Sequence, residues 1–342
     1  MEKMKVLVTG GAGYVGSVTV EKLIDKGHEV LVIDNLSLGN RNAIHPEATF
    51  VKCCIKDEKE LLSSTMKDFK PQAIIHMAAN SLVGESVTNP FKYIDDNVNN
   101  ALTLIKLCID NNIPKFILSS TANIFGNSDT LIDESHSIEP GSPYGESKYI
   151  IERYLKLISK YYPWFKHVII RYFNAAGATK LFGEERENET HLIPLVLDVA
   201  EGKRDKIQIY GDTYDTPDGT CIRDYVHVED IAQAHIRSLQ DKIRNREYNL
   251  GSGKGYSVKE VIAATEKVTG KTIPSEVTSK REGDPAYLVC DNKKINAELY
   301  WIPKFDTLES IIKSAWSWRL IYPQGYDNYT LSYAKREIVQ HM

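Results

Sequence analysis

The start of the chain alternates short apolar runs with longer segments whose apolar positions recur at helical spacing. Lys5–Thr9 and Glu29–Asp34 are typical of β-strands buried on both faces, because they are short, β-branched and almost entirely apolar. Residues 17–26 between them have helical spacing and are followed by Gly27, a common helix terminator. The order strand, helix, strand predicts a parallel βαβ unit.

This alternation continues through the first half of the chain. Residues 73–78, 115–119 and 168–171 read as further strands, and residues 97–112 and 143–161 read as helices. We therefore expect an α/β fold in which a doubly wound parallel sheet carries helices on both faces. Ligands of such sheets bind beyond the carboxyl ends of the strands, where Asp34, Met77 and residues 119–121 lie.

A glycine-rich turn joins the first strand to the first helix. It reads either as Gly11-x-Gly13-x-x-Gly16 or as Gly10-x-x-Gly13-x-x-Gly16, and spacing alone does not choose between them. Glycines let backbone amides approach phosphate oxygens, and a helix N-terminus favours negative charge. Asp34 ends the second strand, where a carboxylate accepts ribose hydroxyls and repels a 2′-phosphate. This context predicts a site for NAD rather than NADP.

The composition of the chain limits which binding partners and which cellular location we expect for the protein. The 342 residues carry a formal charge of −4 without a long run of one sign, which argues against nucleic acid and membrane surfaces as partners. Residues 1–8 contain too few apolar residues for a signal peptide, and the sequence has no apolar stretch long enough to span a bilayer. The five cysteines lack metal-ligand spacing, so we expect reduced thiols, a cytoplasmic protein and no metal.

A second motif predicts proton transfer. Ser142 and Pro143 form a typical helix start, which places Tyr144 and Lys148 one turn apart on the same helical face. Tyrosine has a pKa near 10, and a neighbouring ammonium together with an oxidised nicotinamide would favour its phenolate. Tyr-x-x-x-Lys also occurs by chance on many helices. Thr121 favours the catalytic interpretation, because its hydroxyl at a strand end can relay a proton to Tyr144.

With these residues in view, the chain resembles the extended short-chain dehydrogenase/reductases, and among them the nucleotide-sugar 4-epimerases. The resemblance runs along nearly the whole chain and rests on residues 8–16, 34–36, 83–86, 142–148, 171–174, 218–228, 248–251, 281–284 and 323–326. It implies a Rossmann domain that binds NAD over residues 1–176. It also implies a smaller C-terminal α/β domain that binds substrate over residues 177–342, with some segments returning to the first domain.

The resemblance implies interconversion of UDP-glucose and UDP-galactose. A hydride would pass from sugar C4 to tightly bound NAD and return to the other face of a 4-keto sugar, while Tyr144 handles the proton of the 4-hydroxyl through Thr121. Lys148 would hold the nicotinamide ribose and lower the pKa of the phenol. The implied catalytic residues are therefore Tyr144, Lys148 and Thr121.

The family's cofactor and substrate contacts carry over to matching positions. The implied cofactor residues are Gly10, Gly13, Tyr14, Val15, Gly16, Asp34, Asn35, Leu36, Ser37, Gly39, Cys54, Ile55, Met77, Ala78, Ala79, Ser81, Asp96, Thr121, Tyr144, Lys148 and Phe173. The implied substrate residues are Ser81, Thr121, Tyr144, Asn174, His191, Leu192, Gln208, Tyr210, Arg223, Arg281, Asp284 and Leu288. Among these, Arg223 and Arg281 would bind the pyrophosphate.

Several positions depart from the family pattern. Cys54 replaces an aspartate that contacts adenine, Asp96 replaces an asparagine near the cofactor, and Ser81 replaces a lysine of some members. Leu288 stands at the position beside the sugar C2 substituent, where an aromatic residue excludes an N-acetyl group and a small one admits it. Leucine is intermediate, so the sequence leaves open whether UDP-N-acetylglucosamine and UDP-N-acetylgalactosamine are substrates.

Other functions remain open at this stage. A sugar-nucleotide dehydratase would carry an Asp-Glu pair after Thr121, and this chain has Ala122 and Asn123 there. A 4-epimerase of uronic acid nucleotides and a noncatalytic NAD-binding regulator are the further alternatives. The wide apolar face of residues 143–161, which includes Tyr154 and Leu157, together with the resemblance, leads us to expect a homodimer; burial of that face within one chain is the alternative.

Overall fold

A computed structural model describes residues 2–281 and 284–327. The strands are β1 (Lys5–Thr9), β2 (Glu29–Asp34), β3 (Thr49–Lys52), β4 (Ala73–His76), β5 (Lys115–Thr121), β6 (Lys166–Tyr172), β7 (Asn174–Ala176), β8 (Ile207–Tyr210), β9 (Ile222–His227), β10 (Arg246–Leu250), β11 (Gly255–Ser257), β12 (Ser275–Thr278) and β13 (Tyr287–Leu288). The end of the expected second domain, residues 328–342, and the two central residues of the 281–284 motif lie outside the described residues.

The helices alternate with these strands. They are α1 (Tyr14–Asp25), α2 (Lys59–Phe69), α3 (Val83–Thr88), α4 (Pro90–Tyr93), α5 (Asn100–Asp110), α6 (Pro143–Tyr161), α7 (Leu192–Ala200), α8 (Val228–Ser238), α9 (Val258–Thr269), α10 (Lys293–Leu299) and α11 (Leu308–Ile321). Short 3₁₀ turns cover Arg41–Ala43 and Ala122–Ile124, and a π-helical turn covers Ile94–Asn99.

Seven parallel strands form the main sheet, in the order β10-β6-β5-β4-β1-β2-β3. The chain winds outward from β1 in both directions, which confirms the doubly wound α/β fold expected from the apolar pattern. The carboxyl ends of β1, β2, β4 and β5 therefore share one edge of the sheet, and the cofactor and catalytic segments follow these ends.

Both faces of this sheet are buried. Val6 and Val8 point to the face covered by α1 and α8, and Leu7 between them points to the opposite face, where the residues of α5 and α6 pack. Successive side chains of a strand alternate between faces, so a strand with two covered faces must be apolar at every position. This explains the uninterrupted apolar runs of the first half.

Several element boundaries differ from the sequence predictions. Helix α1 begins at Tyr14, three residues before the first residue that its spacing marked, because Gly13 already serves as the N-cap. The segment predicted as one helix from residue 97 to 112 is a π-helical turn followed by α5. Strands β3 and β10 were not predicted; each is a short edge strand of the main sheet with polar residues that break the apolar pattern.

The second half of the chain forms a smaller α/β region and also returns to the main sheet. β10 pairs with β6, and α8 packs against α1. The smaller region contains a sheet of β7, β9, β11 and β13, a β8–β12 pair, and helices α7, α9 and α11. Across residues 2–281 and 284–327, none of the helices has the length and apolar character needed to span a bilayer.

Candidate active site

The glycine turn lies tightly against the loop that follows β4. Gly10 adopts a positive φ of 73°, and a Cβ there would lie 2.6 Å from the backbone nitrogen of Ala78. A Cβ on Gly16 would lie 2.0 Å from the carbonyl oxygen of Gly10. Within the described part of the chain, α1 has no side-chain cap at Gly13. The first-turn amides, including those of Tyr14 and Val15, are thus available to an anion such as a pyrophosphate.

Asp34 ties the end of β2 to this turn. Its Oδ2 accepts a hydrogen bond from Ala12 N at 3.0 Å, and its Oδ1 accepts one from Leu36 N at 2.8 Å. Burial raises the pKa of the Asp34 carboxyl, and these two backbone donors oppose that shift. The carboxylate is therefore fixed at the strand end where the family pattern places a ribose.

The loop after Asp34 packs over the glycine turn. Asn35 Oδ1 accepts hydrogen bonds from Ser37 N and Ser37 Oγ at 3.0 and 2.8 Å, and Leu36 has a left-handed backbone with φ of 60°. A Cβ on Gly39 would lie 2.8 Å from Ala12 Cβ. Close backbone approach, helix-end amides and a fixed carboxylate together fit a dinucleotide.

Cys54 and Asp96, which differ from the family pattern near the expected cofactor site, both contact neighbouring side chains. Cys54 Sγ contacts Asp57 Oδ2 at 2.9 Å, and buried Ile55 follows it after β3. Asp96 on the π-helical turn accepts hydrogen bonds from Lys56 Nζ at 3.0 Å and from Asn80 Nδ2 at 2.9 Å. Its charge is thus paired with Lys56, so this carboxylate presents less repulsion to a phosphate than the bare sequence suggests.

The expected catalytic residues converge at the carboxyl end of β5. Ser142 Oγ accepts a hydrogen bond from Gly145 N at 3.2 Å and caps α6, which carries Tyr144 and Lys148 on one face. Lys148 Nζ donates to the carbonyl oxygen of Ser119 at 2.9 Å. The Thr121 hydroxyl is near enough to the Tyr144 phenol to lower its pKa. All three side chains are buried.

Electrostatics at the phenol differ from the sequence expectation. Burial raises the pKa of Tyr144, while the Thr121 hydrogen bond and the charge of Arg186 act to lower it. Burial also lowers the pKa of Lys148 to about 8, against the opposing charge of Glu152. The surrounding residues therefore favour a neutral phenol. The cation that acts to lower its pKa is Arg186, which the sequence analysis did not identify.

Arg186 reaches the site from the second half of the chain. Its Nη1 donates to Ser81 Oγ at 3.1 Å and its Nε donates to Glu184 Oε1 at 3.0 Å. Ser81 lies on the loop after β4 that also contains Met77, Ala78 and Ala79. Arg186 lies in a polar loop outside any recognised motif, so the sequence carried no signal for it beyond its charge.

Arg223, Arg281 and Asp284, which the resemblance assigned to the substrate, lie close together with an aromatic residue. Arg223 Nη2 forms an ion pair with Asp284, and the Arg281 guanidinium lies 3.8 Å from the ring centroid of Tyr210. The Tyr210 hydroxyl donates to Gln208 Oε1 at 2.9 Å. β12 pairs with β8, and this pairing brings Arg281 near Tyr210, although the two residues are far apart in sequence. The cluster offers paired donors and an aromatic face to a nucleotide.

Leu288 and Phe173 connect the substrate cluster to the main sheet. They belong to one buried apolar cluster, which also contains Ala122 after the end of β5. Leu288 pairs with Arg223 in the β13–β9 ladder, and Asn174 Nδ2 donates to the carbonyl oxygen of Asp224 in β9. Strand β9 is thus the structural link between the expected sugar and pyrophosphate contacts.

His191 and Leu192 lie at the start of α7. His191 is the N-cap residue, and its Nδ1 lies 2.6 Å from Glu189 Oε1 and 3.6 Å from Glu184 Oε1. Burial lowers the pKa of His191, but these two carboxylates outweigh it and the pKa is raised. Three possible metal ligands lie close together here: Glu184, Glu189 and His191. Arg186 donates a hydrogen bond to the Glu184 carboxylate, so a positive charge is already present in this cluster.

Comparison with known proteins agrees with this geometry. The profile of the family described as "NAD dependent epimerase/dehydratase family" matches residues 6–251. The chain belongs to this family. NAD is thus the cofactor, in agreement with the expectation from Asp34.

Similar proteins cover almost the whole chain. A UDP-glucose 4-epimerase of Halalkalibacterium halodurans is 44% identical over 329 residues, which are 94% of this chain and 98% of that protein. The structure of UDP-glucose 4-epimerase from Bifidobacterium longum, in complex with NAD⁺ and UDP, has a TM-score of 0.88 at 35% identity and covers 94% of this chain and 99% of that one. The UDP-Glc/GlcNAc 4-epimerase of Campylobacter jejuni has a TM-score of 0.81 at 41% identity, covering 93% and 99%.

Proposed function

We propose that this family member interconverts UDP-glucose and UDP-galactose by reversible oxidation and reduction at sugar C4. The observation that carries the proposal is the meeting of Tyr144, Lys148 and Thr121 at the carboxyl end of β5, beside the glycine turn of the NAD site. Near full-length identity to proteins named UDP-glucose 4-epimerase supports the same substrate pair.

In the proposed reaction Tyr144 takes the proton of the sugar 4-hydroxyl and later returns it, with the Thr121 hydroxyl in the hydrogen-bond path. Lys148, held by the Ser119 carbonyl, would bind the nicotinamide ribose, and Arg186 supplies the charge that lowers the pKa of the phenol. Bound NAD supplies the capacity to accept a hydride and give it back. Because the C4 oxygen is deprotonated and reprotonated on one residue, the reaction needs no second acid.

The same argument separates this function from dehydration. Eliminating water from the sugar requires an additional acid and base next to Thr121. The following 3₁₀ turn, Ala122–Ile124, starts with a buried alanine and carries no ionisable side chain. Epimerisation uses only the groups present there, so we favour it over a sugar-nucleotide dehydratase.

The substrate cluster supports a UDP sugar. Arg223 and Arg281 would bind the pyrophosphate, and Tyr210 with Gln208 would contact the uracil. The Arg223–Asp284 ion pair would be rearranged by substrate, since Asp284 would then accept from the ribose. Leu288, buried in its apolar cluster, would lie beside the sugar C2 substituent, and its intermediate size makes UDP-N-acetylglucosamine a further candidate substrate to test.

A coupled assay tests the function directly. Purified enzyme with NAD is incubated with UDP-galactose, and UDP-glucose formation is measured with UDP-glucose dehydrogenase. We expect conversion in both directions toward the same equilibrium mixture, and release of NAD when the protein is denatured. Absence of interconversion from either sugar, in protein that contains NAD, would refute the proposal. Conversion of UDP-glucuronic acid in its place would select the uronic acid alternative.

We also propose that the enzyme acts as a homodimer through α6. Ile151 and Leu155 on this helix are packed in the core, whereas Tyr154 and Leu157 are 45% and 46% exposed, and Tyr161 at its end is also exposed. Such apolar exposure on one helix is typical of a subunit contact. Light scattering of the protein and of Leu157→Glu tests this: we expect a dimer that the charge converts to a monomer. A monomeric native protein would contradict it.

A cytoplasmic location is the remaining part of the proposal. Cys53, Cys54, Cys108, Cys221 and Cys290 are all free thiols. Free thiols, including buried ones, are typical of a reducing compartment. Fractionation of cells with an antibody against the protein would test the location, and recovery outside the cytoplasmic fraction would refute it.

A further inference from the structure

Three successive residues at the end of β5 meet one face of α6. The Ser119 carbonyl accepts a hydrogen bond from Lys148 Nζ at 2.9 Å, the Ser120 hydroxyl donates one to Glu152 Oε1 at 2.6 Å, and the Thr121 hydroxyl is near enough to the Tyr144 phenol to lower its pKa. The three α6 residues are spaced four apart, so they lie on the same helical face. Two of these contacts involve the proposed catalytic residues, and the third involves Glu152, which the proposed reaction does not use.

The Glu152 carboxylate also accepts hydrogen bonds from the buried guanidinium of Arg171. Its Oε2 accepts from Arg171 Nη2 at 2.6 Å, its Oε1 accepts from Arg171 Nε at 3.0 Å, and the side chains of both partners are at most 1% exposed. Arg171 lies on β6 directly opposite Ser120 in the parallel ladder. One carboxylate thereby joins α6 to two adjacent strands at the level of the active site.

Stability alone is a poor reason for this ion pair. Taking two charges out of water costs about as much as their attraction returns, and apolar side chains of the same volume often serve equally well. A buried pair with four directed hydrogen bonds instead fixes one position of the helix relative to the sheet, because sliding α6 would leave both charges unpaired.

The charge of Glu152 also acts on Lys148. Two other ionisable groups lie near Lys148. His76 on β4 is buried, which lowers its pKa to about 3, so it is neutral at physiological pH. Arg171 forms its ion pair with Glu152. The carboxylates on the helices packed against α6 are paired with lysines: Asp95 and Asp96 with Lys56, Glu85 with Lys92, and Asp110 with Lys106. Glu152 is the carboxylate that opposes the loss of charge from Lys148.

We infer that Glu152 is a positioning residue for the proposed epimerisation, which fixes α6, and with it Tyr144 and Lys148, against β5 and β6. The inference rests on the proposed function for its kinetic consequence. Glu152 acts through Lys148 and Tyr144, and it touches neither the sugar nor NAD.

The test compares Glu152→Gln with Glu152→Asp. Glutamine keeps the shape and an acceptor for Ser120 but removes the charge, whereas aspartate keeps the charge with a shorter reach. For Glu152→Gln we expect kcat to fall about tenfold with KM for UDP-galactose nearly unchanged. We also expect the alkaline decline of kcat to move about one pH unit lower, because Lys148 loses its proton earlier. Glu152→Asp should retain the native position of that decline.

A measurement without turnover separates this inference from the function. The ¹³Cε shift of Lys148 is followed against pH by NMR in lysine-labelled protein, with Lys148→Arg for assignment. We expect Lys148 to titrate at lower pH in Glu152→Gln than in the native enzyme, whether or not the native enzyme epimerises UDP-galactose. Native kcat, native pH profile and an unchanged Lys148 titration, with only a lower Tm, would overturn the inference and leave a purely structural ion pair.

Glu152→Gln leaves Arg171 buried without its partner, which can prevent folding. The variant Glu152→Gln/Arg171→Gln removes both charges, so that no buried ion is left unpaired, and keeps a polar side chain at each position. We expect it to fold and to shift the Lys148 titration and the alkaline decline of kcat in the same direction, by less. If this folded protein titrates and turns over like the native enzyme, the inference is wrong.

Discussion

Tyr144→Phe separates proton transfer from simple hydrogen bonding at the active site. The change removes one buried hydroxyl, which lies near Thr121, and keeps the ring that packs edge-to-face against Tyr93 at 6.2 Å. Losing an ordinary neutral hydrogen bond costs about 0.5 to 1.5 kcal/mol, which corresponds to a rate loss of about tenfold at most. Losing a general acid–base group costs about 100- to 10,000-fold in rate.

These two magnitudes do not overlap, so kcat decides between the roles. We expect Tyr144→Phe to lower kcat for UDP-galactose by at least about 100-fold, with KM changed only slightly and the same amount of NAD released on denaturation. The loss of stability should be about 1 kcal/mol, measured by thermal unfolding. A loss of tenfold or less, in protein with its full NAD content, would show that the phenol only positions the sugar and would refute the proposed mechanism.

Tyr93→Phe is the matched control for this experiment. Tyr93 is also buried, lies against Tyr144, and has a hydroxyl that donates to the Leu82 carbonyl at 2.7 Å and contacts Glu85. Removing that hydroxyl changes packing and hydrogen bonding by a similar amount but removes no proposed proton carrier. We expect kcat within a few-fold of native. An equally large loss in both variants would mean that the effect of Tyr144→Phe is structural.

Three further changes test the surroundings of the phenol and the substrate cluster. Arg186→Gln should move the acid decline of kcat upward by about one pH unit or less, because the pKa of Tyr144 rises when this charge is lost; an unchanged pH–rate profile would exclude Arg186 from the electrostatics of the site. Arg223→Lys should raise KM for UDP-galactose about tenfold with little change in kcat, because an ammonium lacks the paired donors of a guanidinium; a fall in kcat alone would contradict a role in binding. Leu288→Ala should raise the ratio of kcat/KM for UDP-N-acetylglucosamine to that for UDP-glucose by about tenfold or more, measured by product analysis with each sugar; a constant ratio would show that Leu288 does not contact the C2 substituent.

The sequence was most informative where local rules and burial agree. Lys5–Thr9 and Glu29–Asp34 have the bounds that the sequence predicted, because strands covered on both faces leave no ambiguity of pattern. The helix Pro143–Tyr161 also has its predicted bounds, since Ser142 and Pro143 mark its start locally. By contrast, β3 and β10 belong to the sheet through pairing with β2 and β6, which no local pattern encodes.

Some residues of the site could also be placed from local sequence, and others could not. Tyr144 and Lys148 could be placed on one face from their spacing alone, because helical geometry fixes that relation. Arg186 and Glu152 could not, because one reaches Ser81 across 105 residues and the other binds a strand residue 19 positions later. The pKa of Tyr144 also depends on the fold, because the surrounding elements set its burial, and burial raises the pKa more than Thr121 and Arg186 lower it.

By itself, the sequence determined the strand and helix order, the glycine turn with Asp34, and the pairing of a tyrosine with a lysine on one helical face. These features depend on neighbours within a few residues, where backbone geometry and side-chain periodicity act directly. Only the tertiary structure decided which charges meet: Arg186 with Ser81, Arg223 with Asp284, and Glu152 with Arg171. Electrostatic energy depends on distance and burial in space, and the folded chain alone sets both.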